Sequence, residues 1–187
     1  SSEAWTPMRT GLDNVHAESR RVEGSRFVLR RFTTFIDAQP EAMYRAAAES
    51  LGTSSDFRFG DRSILDTQTV ARFDDSHFVT WQLNKLPRGM EDRLFVSLTF
   101  TDEANLLIVT RDATSNNKGL VNRMCSKTDL LAPNKLTLGV AHHFSFVFSD
   151  AGNGRCRIGF LAQGDPKGNI PSLLMNSDKV GVSIAKG

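Results

Sequence analysis

The 187-residue chain holds one Tyr and two Cys, and its longest unbroken apolar runs, such as Leu106-Leu107-Ile108-Val109, are only a few residues long. None of those runs accommodates a transmembrane helix or a signal-peptide core. Cys125 and Cys156 lie far apart and outside any CxxC arrangement, which predicts reduced thiols and a cytoplasmic setting. Charge of one sign is not in excess either. Twenty-three basic against 21 acidic residues leave a net charge of +2, which does not describe a nucleic-acid binder. No GxSxG, Walker, GxGxxG or HExxH pattern occurs, so no cofactor or metal is predicted.

What is present is ordinary globular material with one bias. Apolar residues make up 40% and charged residues 24%, which argues against disorder. The bias is Phe, thirteen against two Trp and one Tyr. Phe supplies apolar area without a polar tip and suits a large core or an apolar cavity. At this length one core buries about 70% of the extended chain's surface, so residues 1–187 are read as a single domain. Ser1 in place of an initiator Met suggests a module excised from a longer protein.

Gly24-Ser25 predicts a turn between strands Val15–Val22 and Arg26–Ile36. Pro40 and Glu41 then open a helix, Ala42–Leu51, that Gly52 ends. From residue 62 to 164 the chain reads as strands at Ser63–Phe73, His77–Leu83, Arg93–Thr101, Leu106–Ala113, Leu138–Ser149 and Arg155–Gln163. An antiparallel meander is their simplest topology. The connections Asp74–Ser76, Asp102–Asn105 and Asp150–Gly154 are short. Asn84–Asp92 and Thr114–Thr137 are longer and should share the opposite end of the sheet. Pro171 introduces a last helix, Ser172–Ile184. A long curved sheet with one helix across it is an α+β design, and what the helix leaves uncovered is a candidate apolar cavity.

Chemistry-bearing residues are scattered. His142 and His143 are adjacent on a strand and so point to opposite faces, and His16 and His77 have no spaced partner. Gly152-Asn153-Gly154 is a hairpin turn and not a phosphate loop, because no helix follows it. In Arg93–Thr101, Leu94, Val96, Leu98 and Phe100 share one face while Phe95, Ser97 and Thr99 share the other. Both faces are apolar, and pattern alone does not orient the strand.

Gln163-Gly164-Asp165-Pro166-Lys167-Gly168-Asn169-Ile170-Pro171-Ser172-Leu173-Leu174-Met175-Asn176 resembles the strand-to-helix junction of StAR-related lipid-transfer (START) domains. Leu86–Val96 resembles the family's loop that ends in Arg-Asp before an apolar strand, with Glu91 where Arg is usual. Leu107-Ile108-Val109-Thr110-Arg111-Asp112 is similar to the next strand, and Ala38-Gln39-Pro40-Glu41 to the early helix entry. Together these fall in order between about residues 10 and 180. Two departures are a longer 114–137 connection and a terminal helix that stops early, at Gly187.

The resemblance implies a helix-grip fold: a curved antiparallel sheet wrapped around a long C-terminal helix, with an internal tunnel for one lipid. It points Ser97 inward, with Phe95 and Thr99 on its face and Thr80 and Gln82 on the preceding strand. Arg111 is a further candidate for the polar end. The implied function is to carry or sense a sterol, phospholipid or ceramide as a monomer, without catalysis and without nucleic acid. The long loop, with Lys118, Arg123, Met124 and Lys127, is expected to act as a lid touching membranes transiently. Two rivals stand beside this reading. One is a helix-grip enzyme of the cyclase or hydrolase type, which needs an inward acid–base group. The other is an interaction module whose cavity is filled by its Phe side chains.

Overall fold

The computed structural model describes residues 4–51, 64–86, 91–114, 137–168, 170 and 176. Its elements are β1 (Thr6–Met8), β2 (Val15–Arg20), β3 (Leu29–Ile36), α1 (Pro40–Ser50), β4 (Ile64–Arg72), β5 (His77–Asn84), β6 (Arg93–Asp102), β7 (Leu107–Asp112), β8 (Thr137–Leu138), β9 (Val140–Asp150) and β10 (Cys156–Asp165). All strands join one sheet, in the order β1-β2-β3-β10-β9-β7-β6-β5-β4, with β8 beside β6. The meander from β4 through β10 is the one the turn chemistry predicts. The early hairpin completes the sheet by laying β3 against β10.

Local chemistry sets the boundaries. The Ser25 hydroxyl both donates to the Phe27 carbonyl at 3.0 Å and accepts from the Phe27 N–H at 3.1 Å. That turn holds residues 25–27 out of the sheet, so β3 starts at Leu29 and not at Arg26. At the β9–β10 hairpin Gly152, Asn153 and Gly154 take φ of 80°, 55° and 73°, a run that two glycines and an asparagine tolerate. Helix α1 opens on Pro40, whose missing N–H needs no partner there, and carries Glu41 in its first turn.

β8 and β1 are additions that strand patterning did not anticipate. β7 pairs with β6 only from Ser97 onward, which leaves the start of β6 with unpaired backbone groups. Thr137 and Leu138 run parallel to Arg93 and Leu94, and the Gly139 N–H donates to the Leu94 carbonyl at 2.8 Å. The long connection thereby returns to the end of the sheet from which it left.

Two ends result. Asn84 pairs with Arg93, and Arg93 with Thr137, so segments 85–92 and 113–136 leave the sheet at one end, as their lengths predict. At the other end lie the tight turns and α1. There Tyr44 packs on Ile108, Phe148 and Cys156, joined by Met43, Ala47 and Leu51. This packing defines an inner face, the one α1 touches. The expected terminal helix, Ser172–Ile184, lies outside the described residues apart from Asn176.

Candidate functional site

Registry decides which side chains meet on the inner face. One row runs Thr69, Thr80, Ser97 and Asp112 from β4 to β7. The next holds Thr67, Gln82 and Phe95, and a third Phe78, Thr99, Thr110 and Phe144. Ile108 pairs with Thr101 and Phe146, which places all three rows on the face that α1 covers at its far end. The structure thus brings Thr80, Gln82, Phe95, Ser97 and Thr99 together. Arg111 it does not: this residue pairs with Leu98, on the outer face, and is exposed. Lys118, Arg123, Met124 and Lys127 lie outside the described residues.

Hydrogen bonding separates committed polar groups from available ones. Thr99 and Thr110 share a hydroxyl contact of 3.1 Å, Gln82 Nε2 donates to Asn84 Oδ1 at 2.8 Å, and Thr67 Oγ1 donates to the Trp81 carbonyl at 2.9 Å. The hydroxyls of Ser97 and Thr80 make no hydrogen bond among the described residues, although Ser97 is only 6% exposed. Across β5, β6 and β7, Arg93 and Asp112 are the only charged groups on this face. Asp112 accepts from the Thr114 hydroxyl at 2.6 Å.

Opposite this polar wing stands an aromatic one on β3, β9 and β10, which composition signalled but residue-by-residue reading missed. Phe160 stacks on Phe146 at 4.3 Å between centroids and on Phe32 at 5.9 Å, with Phe144 at 6.2 Å. Phe148 continues the row to Tyr44, edge to face at 6.2 Å. Burial raises the Tyr44 pKa, and the hydrogen bond to the Thr101 side chain offsets part of that rise. Phe144-x-Phe146-x-Phe148 is a strict period-two pattern, and that was the available signal. Arg30 on β3 brings a buried guanidinium to the same face and carried no sequence signal.

The junction motif has a physical account. Asp165 accepts from the Lys167 N–H at 2.8 Å and from its ammonium at 2.7 Å. Burial alone would raise the Asp165 pKa, but these bonds hold it below the usual carboxylate value. Lys167 and Gly168 then turn with φ of 56° and 68°. Arg93, buried at the start of β6, donates to the carbonyls of Pro166 at 2.6 Å, Glu91 at 2.5 Å and Asp92 at 3.3 Å. A Cβ at Gly168 would stand 3.0 Å from Arg93 Nη2, which favours glycine doubly. Asn176 accepts from the Val28 N–H and donates to the Arg26 carbonyl, both at 3.1 Å. These motif residues fasten the C-terminal segment to both halves of the sheet. They are scaffold.

Histidine placement differs from simple alternation. Gln163 pairs with His143 but Gly164 with Ala141, so His142 is the extra residue of a bulge. His143 contacts the Ser145 hydroxyl at 3.1 Å, and desolvation, then Arg111, lowers its pKa. Among the described residues no three His, Cys, Asp or Glu side chains gather as metal ligands, and no helix is long and apolar enough to cross a membrane.

With this geometry the chain has the helix-grip fold of START-domain structures. Human STARD10 superposes at a TM-score of 0.73 with 18% identity, covering 97% of this chain and 68% of that one. The human StarD13 lipid transfer and protein localization domain gives 0.73 with 15% identity, over 98% of this chain and 87% of that one. The Zhui aromatase/cyclase from Streptomyces sp. R1128 gives 0.53 with 10% identity, over 84% of this chain and 85% of that one. No family model and no curated protein matches the sequence.

Proposed function

We propose that the chain binds a single lipid between the two wings of its inner face and carries or senses it without chemical change. The observation behind this reading is the pairing of an aromatic wall with the uncommitted hydroxyls of Thr80 and Ser97 on one face of the sheet. An apolar ligand body gains roughly 0.8 kcal/mol for each CH₂ it buries there. Ser97, Thr80 and the Oε1 of Gln82, whose bond to Asn84 uses only its amide nitrogen, then rank head groups, each neutral hydrogen bond contributing about 0.5–1.5 kcal/mol. The likeness to lipid-transfer folds supports lipid over other ligands; sterol, phospholipid and ceramide classes all fit this chemistry.

The aromatase/cyclase fold likeness favours a second reading, in which the same face performs acid–base chemistry. That reading needs a free titratable group facing the ligand. On β5 to β7 the carboxylate on the inner face is Asp112, already bonded to Thr114, which weighs against it. Native mass spectrometry after incubation with a mixed lipid extract tests the proposal. One intact lipid per chain is expected, and a converted product or no adduct across broad classes contradicts it.

Entry has to occur where loops, not paired strands, close the face. We assign it to the end from which 85–92 and 113–136 leave, with Lys118, Arg123 and Lys127 meeting the anionic surface of a donor or acceptor membrane. Charge reversal at these three should slow transfer between anionic vesicles while leaving uptake of detergent-solubilised lipid unchanged. Unchanged transfer by a folded variant refutes the assignment.

A further inference from the structure

An antiparallel sheet with one covered face ordinarily alternates apolar inward and polar outward. Here the outward positions break that rule on β6 and β7 and at Val147 on β9. Phe100 on β6 pairs with Val109 on β7, and Leu107 pairs with Val147 on β9. Leu98 is 40% exposed and Val147 45%, although both lie mid-sheet and not at a frayed edge. On the β5 side this surface runs without a gap into a buried cluster, because Leu98 pairs with Val79, which packs with Trp81, Leu94 and Val96. The strands beneath are paired on both sides, so an added strand cannot dock. What fits a sheet face by side chains alone is a helix laid across it.

Charge selects the kind of helix. Arg111 on β7 and Arg157 on β10 flank the apolar strip on its outer face, and neither has an ion-pair partner among the described residues. The acid beside the strip, Asp102, is turned into its own loop, accepting from the Asn105 N–H at 3.1 Å and from its side-chain amide at 2.7 Å. A second copy of this face would set arginines against arginines. A bilayer would have to bury the polar side chains of Ser145 and Ser149, which share this outer face with the apolar strip. We propose that the outer face of β6, β7, β9 and β10 docks an amphipathic protein helix that carries carboxylates beside its apolar stripe.

The test uses the purified chain and two labelled 18-residue helical peptides, one of Leu, Ala and Glu and one of Leu, Ala and Lys. The Glu peptide should bind, and binding should weaken at least tenfold for Leu98→Gln/Val147→Gln and for Arg111→Glu/Arg157→Glu. The arginine variant should now prefer the Lys peptide. Thermal melts establish that each variant is folded. Lipid loading by Leu98→Gln/Val147→Gln should match the parent, which separates this proposal from the inner-face reading. Equal affinity for both peptides, or full binding by both folded variants, overturns it. So does sedimentation as a dimer that Leu98→Gln/Val147→Gln dissolves, or loss of phosphatidylserine-vesicle binding in that variant without Glu-peptide binding by the parent.

Discussion

On β9 and β10 the inward positions at 144, 146, 148 and 160 are all phenylalanine, whereas on β5 and β6 the inward positions at 80, 82, 97 and 99 are Thr, Gln, Ser and Thr. The two wings meet where Thr110 pairs with Phe144 and Ile108 with Phe146. They differ in the kind of free energy they supply. Ring surface is non-directional and scales with area, so it holds any apolar body. Hydroxyls contribute little net energy, but a ligand that leaves them unpaired loses about 1–3 kcal/mol for each buried group. In the proposed lipid complex, most of the affinity comes from the aromatic wing, with Phe78 and Phe95 adding apolar surface on β5 and β6, and selectivity comes from the hydroxyls. Changes to one wing should leave the other's property intact.

The largest effect is expected from Phe148→Ala, because this ring is 4% exposed and joins the aromatic wing to Tyr44 on α1. Chemical denaturation should show a loss of about 3–5 kcal/mol. A loss under about 1 kcal/mol would mean that the wing is not part of the core. Phe160→Leu is milder, since it removes stacking against Phe146 and Phe32 while keeping apolar volume. Lipid titrations should show affinity falling by about 1 kcal/mol for every class alike. A change confined to one class would break the division of labour.

Ser97→Ala and Gln82→Leu sharpen the comparison from the other side. Each should shift affinity by about 0.5–1.5 kcal/mol for lipids whose polar group it meets and leave the rest unchanged. Competition binding across head groups reads this directly, and a uniform loss would count against the polar wing's role. The smallest effect lies off the site. Desolvation and then Arg111 depress the His143 pKa below its ordinary 6.5. The unfolded chain therefore takes up the proton first, so stability is complete above that value and declines as pH falls toward the folded pKa. His143→Gln should flatten this slope in melts between pH 7 and pH 5.

Much of this architecture was legible in the chain. Turn residues such as Asp74, which accepts from the N–H groups of Ser76 and His77, marked strand ends within a residue or two. Alternating connection lengths put both long loops at one end. Helix α1 was announced by Pro40 and Glu41. What sequence did not orient was β6, because Leu98 and Phe100 are as apolar as Phe95. The structure supplies the reason: at its start that strand is covered on both faces, with Leu94 and Val96 buried outward and Arg93 and Ser97 buried inward. Arg111, a candidate for the polar end from its place at the end of a strand, pairs with Leu98 and so faces outward. Arg93 was invisible as a scaffold residue because its three carbonyl partners come from backbone, which leaves no residue-type signal. The expected lid, 115–136, and the expected terminal helix, Ser172–Ile184, lie outside the described residues apart from Asn176.

The central claim is that one ligand lies between the wings with its polar end on β5 and β6. Photo-crosslinking with two diazirine-bearing lipids, one labelled beside the head group and one at the tail, tests it most directly. Peptide mapping should place head-group adducts in residues 77–84 and 93–102 and tail adducts in residues 140–150 and 156–165. Adducts from both probes in the same strands, or on outward-facing residues such as Leu98 and Val147, would contradict the account.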